Sequence, residues 1–389
     1  MTAARAFHVM SKPTGAICNL DCAYCFFLSK EELYPGSEFR MSDDVLSAYV
    51  EQLLAAHAAH EEVVVAFQGG EPTLMGLPFF RRVLDLEQQH RRPGQTILNT
   101  VQTNATLIDD EWADFFSENG FLVGVSIDGP APVHDAYRVD KGGKPTYDRV
   151  VRGLRHLQAH GVEWNALCTV HHANQDAGGI VYRFLRDDLG ARFMQFIPIV
   201  EREGTGVSAR SVAPQAFGRF LIEVFDDWIQ GDVGEVFVQH FDTALAHWLG
   251  MDQVGLCVHA RVCGRSVALE HNGDLYSCDH FVEPAYLLGN ITAGRPLLDL
   301  VDSPRQRAFG VAKLTTLPAY CRKCTVRFAC NGGCPKDRFT AAPDGEPGLN
   351  YLCPGYQDFF GHIDEPMRAM AAFVRSGQEP SRVGDLYGD

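Results

Sequence analysis

Ile17-Cys18-Asn19-Leu20-Asp21-Cys22-Ala23-Tyr24-Cys25 puts three thiols into one short loop, immediately downstream of the apolar run Phe7 to Met10. Outward from that pairing, β-branched or apolar runs recur at Val63 to Phe67, Ile97 to Gln102, Leu122 to Ile127, Trp164 to Val170 and Phe193 to Ile197. Amphipathic stretches separate them: Ser42 to His57, Pro78 to His90, Asp109 to Asn119, Tyr147 to His160 and Ala177 to Leu189. Ser42 ahead of Asp43 and Asp44 is a capped helix start, while Gly120 and Gly161 are natural stops. Repeated βα units of this kind make an α/β chain with parallel strands. Six of them predict a partial (β/α)6, TIM-like barrel over residues 1–235.

Barrels of this type carry their chemistry on the loops that follow the C-terminal ends of the strands. The unusual polar residues fall there. The cysteine loop follows the first strand, Gln68-Gly69-Gly70-Glu71-Pro72 the second and Thr103-Asn104 the third; Ser126 and Asp128-Gly129 end the fourth. Three thiolates without an evident fourth neighbour suit a 4Fe-4S cluster with one open iron, able to bind an external amino and carboxylate group. A zinc site completed by a distant His, or a chance grouping, is the plainer alternative.

Cys18-x3-Cys22-x2-Cys25, with Tyr24 before the last cysteine, resembles the radical S-adenosylmethionine superfamily. That resemblance implies S-adenosylmethionine as cofactor and assigns Gln68, Gly69, Gly70 and Glu71 to the glycine-rich motif, whose close backbone approach and carboxylate hold the methionine ammonium. Ser126 is placed to donate to a ribose or carboxylate oxygen. Arg138 is placed to form a charge-assisted fork with the methionine carboxylate, and Val200 supplies a backbone contact after the sixth strand. Either Ser126 or Arg138 reads equally well as an ordinary surface or capping residue.

Helical segments at Pro214 to Gln230 and Val236 to Leu249 lead into a second region, 236–370, where Val267 to Glu270 and Leu275 to Ser277 flank Asn272-Gly273, a hairpin signal. Its cysteines run Cys257, Cys263, Cys278, then Cys321-x2-Cys324-x5-Cys330-x3-Cys334, then Cys353. Spacing alone leaves paired zinc sites open. In its pattern this cysteine-rich α+β region resembles the SPASM extension, and more narrowly that of anaerobic sulfatase-maturating enzymes. The resemblance implies two auxiliary 4Fe-4S clusters, three clusters in all, with Cys257, Cys263, Cys278 and Cys334 on one and Cys321, Cys324, Cys330 and Cys353 on the other. It also makes Asp279 the catalytic base, a role for which burial beside a cluster would raise its proton affinity. Cys168 reads as a small core residue, and His171-His172 as polar loop residues. Residues 371–389 close the chain as a polar tail, frayed from about Arg375.

A formal net charge of −15 argues against a nucleic-acid partner. No segment approaches the roughly 20 apolar residues that span a bilayer, and without an export signal the twelve cysteines point to metal rather than disulfides. The expectation is a soluble cytoplasmic enzyme that oxidises a Cys or Ser side chain of an extended sulfatase polypeptide to Cα-formylglycine, fed by an external donor such as flavodoxin or ferredoxin. Two rivals remain at this point. One is a SPASM enzyme that cross-links or epimerises a ribosomally made peptide, against which stands the short stretch before the first strand; the other is a non-catalytic electron-transfer or zinc scaffold.

Overall fold

Apolar runs with β-branched residues settle into strands and the amphipathic stretches into helices, as seen in a computed structural model that describes residues 6–60, 62–204, 206–251 and 255–387. Along the chain come β1 (His8–Lys12), α1 (Asp43–Ala56), β2 (Glu62–Phe67), α2 (Leu77–His90), β3 (Thr96–Thr103), α3 (Asp110–Glu118), β4 (Leu122–Ser126) and α4 (Tyr147–Ala159). Next are β5 (Trp164–Val170), α5 (Gly178–Arg183), β6 (Phe193–Pro198), α6 (Pro214–Ile229), β7 (Phe237–Val238) and α7 (Gln239–Trp248). The hairpin strands β8 (Ser266–Glu270) and β9 (Asp274–Tyr276), then β10 (Leu287–Asn290), α8 (Cys353–His362) and α9 (Asp364–Arg375), complete the main elements. Ser42 Oγ accepts from Val45 N and Asp109 Oδ1 from Trp112 N, so α1 and α3 start at side-chain caps.

Two compact units interleave along the chain. The first comprises Met1–Ser126, Tyr137–Trp164 and Gly264–Val311. Its strands lie in the order β10-β9-β8-β1-β2-β3-β4. β1 to β4 are parallel neighbours, and β8 pairs in parallel with β1, with His8 opposite Ser266. The hairpin is turned by Gly273 at φ 89°, which is why Asn-Gly marks it in sequence. Aromatic rings fill the layer between sheet and helices: Phe67–Phe80, Phe80–Trp112 and Phe116–Phe121 lie 5.5, 5.5 and 5.2 Å apart, the range of favourable ring contacts.

The second unit comprises Ile127–Ala136, Asn165–Cys263 and Ala312–Asp389. Here β5 and β6 are parallel, and β7 pairs with β6 through Phe193 opposite Phe237. The helix expected from Val236 therefore starts only at Gln239. The stacked rings of Phe193 and Phe237, 5.0 Å apart, draw the preceding residues into the sheet. α6 and α8 cross where glycines let the backbones meet: a Cβ on Gly355 would lie 2.0 Å from the Pro214 carbonyl oxygen, and one on Gly218 2.5 Å from that of Gly355. That crossing fixes the start of α8, and with it Cys353.

The tail does not fray at Arg375. Short helical turns at Pro380–Val383 and Gly384–Tyr387 follow, Val383 is fully buried, and the Arg382 guanidinium lies 5.5 Å from the Phe373 ring. One apolar side chain in a polar stretch is enough to dock it. No helix among the described residues is long and apolar enough to cross a membrane.

Candidate functional site

The loop after β1 is held by backbone bonds as well as by the packing of Leu20 and Tyr24. Asp21 N donates to Val139 O and Ala23 N to Tyr137 O, each at 2.9 Å, which stitches the Cys18–Cys25 segment to the stretch that carries Arg138. Arg138 is buried, its guanidinium 5.6 Å from the Tyr24 ring, and Tyr24 meets Tyr137 edge-on at 6.1 Å. Asn104 Nδ2 donates to Asn19 Oδ1 at 2.8 Å and reaches Cys18 Sγ at 3.6 Å. In this way β3's loop supports the first cysteine.

Gly69 and Gly70 sit against the same loop. Gly70 N donates to Gly15 O at 2.8 Å and Glu71 N to Ile17 O at 2.9 Å. Gly69 has φ +114°, and a Cβ on Gly70 would lie 1.9 Å from Ile17 O. Only glycine permits this approach of one backbone to another. The Glu71 carboxylate faces inward: Oε1 accepts from Thr73 N, Thr73 Oγ1 and Thr103 Oγ1, and Oε2 from Asn104 N. Burial pushes its carboxyl up against the pull of those donors. It therefore clamps the loops of β2 and β3 together, and its protein partners occupy both oxygens. Gln102 Nε2 donates to Ser126 Oγ at 3.0 Å at the ends of β3 and β4.

Asp279 follows Cys278 after the hairpin and forms an ion pair with Lys12, the last residue of β1. Lys12 is 2% exposed, and its ammonium lies 3.9 Å from the centre of the Phe27 ring. The expectation of a raised proton affinity is corrected here. Burial alone would push the Asp279 carboxyl up, but the Lys12 ammonium, with His280 and Lys30, outweighs it and holds the group below the usual carboxylate range. Lys12 escaped the sequence analysis because a single lysine at the end of an apolar run reads as a strand end meeting solvent.

In the second unit, Cys321, Cys324, Cys330 and Cys353 line one cavity, floored by Gly332 and Asn350. Burial pushes the Cys330 and Cys353 thiols up to about 12, so any metal that binds them must displace protons. Cys257, Cys263 and Cys334 are grouped around Lys313, whose Nζ donates to the carbonyls of Cys257 and Val258 at 2.6 and 2.8 Å. Arg338 donates to the carbonyls of Gly332, Lys313, Asn331 and Gly333. Buried Lys313 and half-buried Arg338 among thiols match the negative charge of thiolate-bound clusters, and neither was singled out from sequence. Among the described residues no three His, Cys, Asp or Glu side chains gather as a single ion would need; a ring of thiols about a cavity suits a cluster better than one zinc. Among the described residues no disulfide joins the cysteines. Cys278 lies in the first unit, and Val200 follows β6 in the second. Cys168 is fully buried in β5, and the buried His171 lies 3.5 Å from Asp128.

The model of the radical SAM superfamily matches residues 13–181, and that of the SPASM iron-sulfur cluster-binding domain matches residues 257–325. The α/β fold and cysteine sites thus define a radical SAM enzyme with a SPASM domain. The serine-type anaerobic sulfatase-maturating enzyme of Bacteroides thetaiotaomicron is 42% identical, over 98% of this chain and 95% of its own. The cysteine-type enzyme of Clostridium perfringens is 34% identical, over 90% of this chain and 95% of its own. A solved structure of native anSMEcpe with bound AdoMet superposes with a TM-score of 0.85 at 32% identity, covering 94% of this chain and 99% of that one. This chain belongs to the anaerobic sulfatase-maturating enzymes.

Proposed function

We propose that this enzyme oxidises a Ser or Cys side chain of an extended sulfatase polypeptide to Cα-formylglycine, as a cytoplasmic protein served by a flavodoxin-like or ferredoxin-like donor. Its relatives of serine type reach 42% identity and those of cysteine type 34%, so serine is the first substrate to try. Cys18, Cys22 and Cys25 hold the cluster that binds S-adenosylmethionine. Cys257, Cys263, Cys278 and Cys334 would hold one further 4Fe-4S cluster, and Cys321, Cys324, Cys330 and Cys353 another. When bound, the first cluster and S-adenosylmethionine supply a 5'-deoxyadenosyl radical that removes a β-hydrogen from the substrate side chain.

The chain's own residues do the rest. Tyr24, Gln68, Gly69, Gly70, Glu71, Ser126, Arg138 and Val200 seat the cofactor, Glu71 also holding the glycine loop in shape while Oε2, with a single protein donor, keeps a lone pair for a further one. Asp279 takes the proton that the substrate O–H or S–H gives up as its carbon becomes a carbonyl or thiocarbonyl, the latter giving the aldehyde and hydrogen sulfide with water; an auxiliary cluster, when bound, would supply the acceptor for the one electron released. A carboxylate held ionised by Lys12 is ready to accept at neutral pH, though it is a weak base; it suffices because a hydroxyl or thiol on a radical carbon is far more acidic than on a closed-shell one.

The observation that carries this reading is the ion pair of buried Lys12 with half-buried Asp279 directly beside Cys278. An anaerobic assay with Ser and Cys sulfatase-motif peptides, following 5'-deoxyadenosine and peptide mass together, tests it. Aldehyde formation is expected. Cofactor cleavage with no aldehyde on either peptide would sink the maturase reading and leave the radical chemistry standing.

A further inference from the structure

Lys12 is a lysine with 2% of its side chain exposed at the end of a parallel strand. Taking an ammonium out of water costs several kcal/mol unless a partner compensates it, and a strand end next to a loop could have carried any apolar residue. Two contacts account for its presence. Its ammonium pairs with Asp279 Oδ1 and stands over the Phe27 ring at 3.9 Å, while its backbone opens the segment to Gly15 and the cysteine loop. Phe27 is two residues beyond Cys25 and packs with Cys25, Ala268 and Tyr276 in one apolar cluster. One side chain thus ties the loop that bears the three thiols to the hairpin that bears Asp279.

Oδ1 of Asp279 is itself buried, while the side chain as a whole keeps 20% of its surface exposed. The accessible part is therefore left to Oδ2 and the methylene, not to the oxygen that meets Lys12. We infer that Lys12 is a positioning residue, which fixes Asp279 by one carboxylate oxygen and turns the other toward the substrate to receive its proton. The inference rests on the base role proposed above for Asp279 and adds what aims it. Lys12 keeps its own three protons throughout; the substrate's proton ends on Asp279 and the electron leaves separately. A carboxylate without this anchor would rotate, and a misplacement of about 1 Å in such a group costs on the order of 100-fold in rate.

The test uses anaerobically reconstituted holoenzyme of wild type, Lys12→Met, Lys12→Arg, Asp279→Asn and the double variant Lys12→Met/Asp279→Asn. Iron content and peptide affinity are measured alongside 5'-deoxyadenosine and aldehyde. Lys12→Met is expected to retain iron, peptide affinity and cofactor cleavage while aldehyde per cleavage falls about 100-fold, and Lys12→Arg to recover part of that ratio. The double variant removes both charges together, so it folds without a lone buried ion, and its ratio should be no worse than that of Asp279→Asn alone, as for two residues acting through one contact. A wild-type ratio in Lys12→Met, or multiplied losses in the double variant, overturns the positioning role while leaving the base intact. Full aldehyde output from Asp279→Asn removes the base itself and this inference with it.

Discussion

Gly70 and Ile17 touch backbone to backbone: a Cβ added at Gly70 would lie 1.9 Å from the Ile17 carbonyl oxygen, one residue before Cys18. The second strand's loop and the cysteine loop therefore share one wall.

Gly70→Ala should push that wall outward and carry Cys18 with it. Residues that orient cluster ligands typically change metal affinity by about 10- to 100-fold when altered, so the variant should lose iron from the first cluster and with it S-adenosylmethionine cleavage. Iron analysis and the charge-transfer absorbance of the purified protein report this. Gly94, whose Cβ would meet nothing within 4 Å, is unsuitable as an alanine control because of its φ of +81°; Gly231, equally open and without a positive φ, serves instead.

Glu71→Ala would orphan the donors that meet its carboxylate from Thr73, Thr103 and Asn104. Each buried donor left unsatisfied costs about 1–3 kcal/mol, and with four of them a loss of about 4 kcal/mol or more in urea unfolding is expected. Glu71→Gln keeps one oxygen for the threonines but faces an amide NH2 against the Asn104 N–H, so it should cost less than alanine. An alanine loss matched in full by glutamine would show that the ionised carboxylate itself holds these loops, and no loss in either would show that these hydrogen bonds do not.

Much of this architecture is legible in the residues. The six parallel strands and the Asn272-Gly273 hairpin appear because alternating apolar runs and a glycine at positive φ are local properties. The direction in which Glu71 points is not local. Its motif names a carboxylate near a cofactor, yet Thr103 and Asn104, more than thirty positions on, turn it inward. Lys12 fails to show for the same reason: its partner Asp279 arrives only through the parallel pairing of His8 with Ser266. The position of Val383, ordered inside a polar tail, depends likewise on what it docks against.

Glu87, on α2, faces β3, where Oε2 accepts from Asn99 Nδ2 at 3.0 Å and Oε1 has no partner. Burial pushes its carboxyl up from 4.5 to about 7, the Asn99 bond opposing the shift. The folded state therefore holds this proton more tightly than the unfolded one. Its contribution to stability is full below pH 4.5 and is lost as pH rises through about 7, amounting to about 3 kcal/mol at most. Glu87→Gln should flatten the fall in stability between those values and leave the variant more stable than wild type at pH 8. Urea unfolding at a series of pH values checks it, and an unchanged slope would remove Glu87 as its source.

The second cluster region depends on a helix crossing in the same way that the first depends on Gly70. Gly355 stands two residues after Cys353 on α8, and its absent side chain leaves room for the Pro214 carbonyl at the start of α6. Gly355→Ala must lift the start of α8 away from α6, because the atom in the way is backbone and cannot rotate aside. Overpacking of this kind costs about 1–3 kcal/mol, and the shift acts directly on Cys353, which lines the cavity with Cys321, Cys324 and Cys330. Gly361 lies on the same helix with nothing within 4 Å of a Cβ, and there alanine should stabilise by about 1 kcal/mol through helix propensity. The pair separates two effects in one element. Iron content should fall in Gly355→Ala and hold in Gly361→Ala, and melting temperatures should move in opposite directions; a Gly355→Ala protein with full iron and unchanged melting would show that α8 does not position its cysteine through this contact.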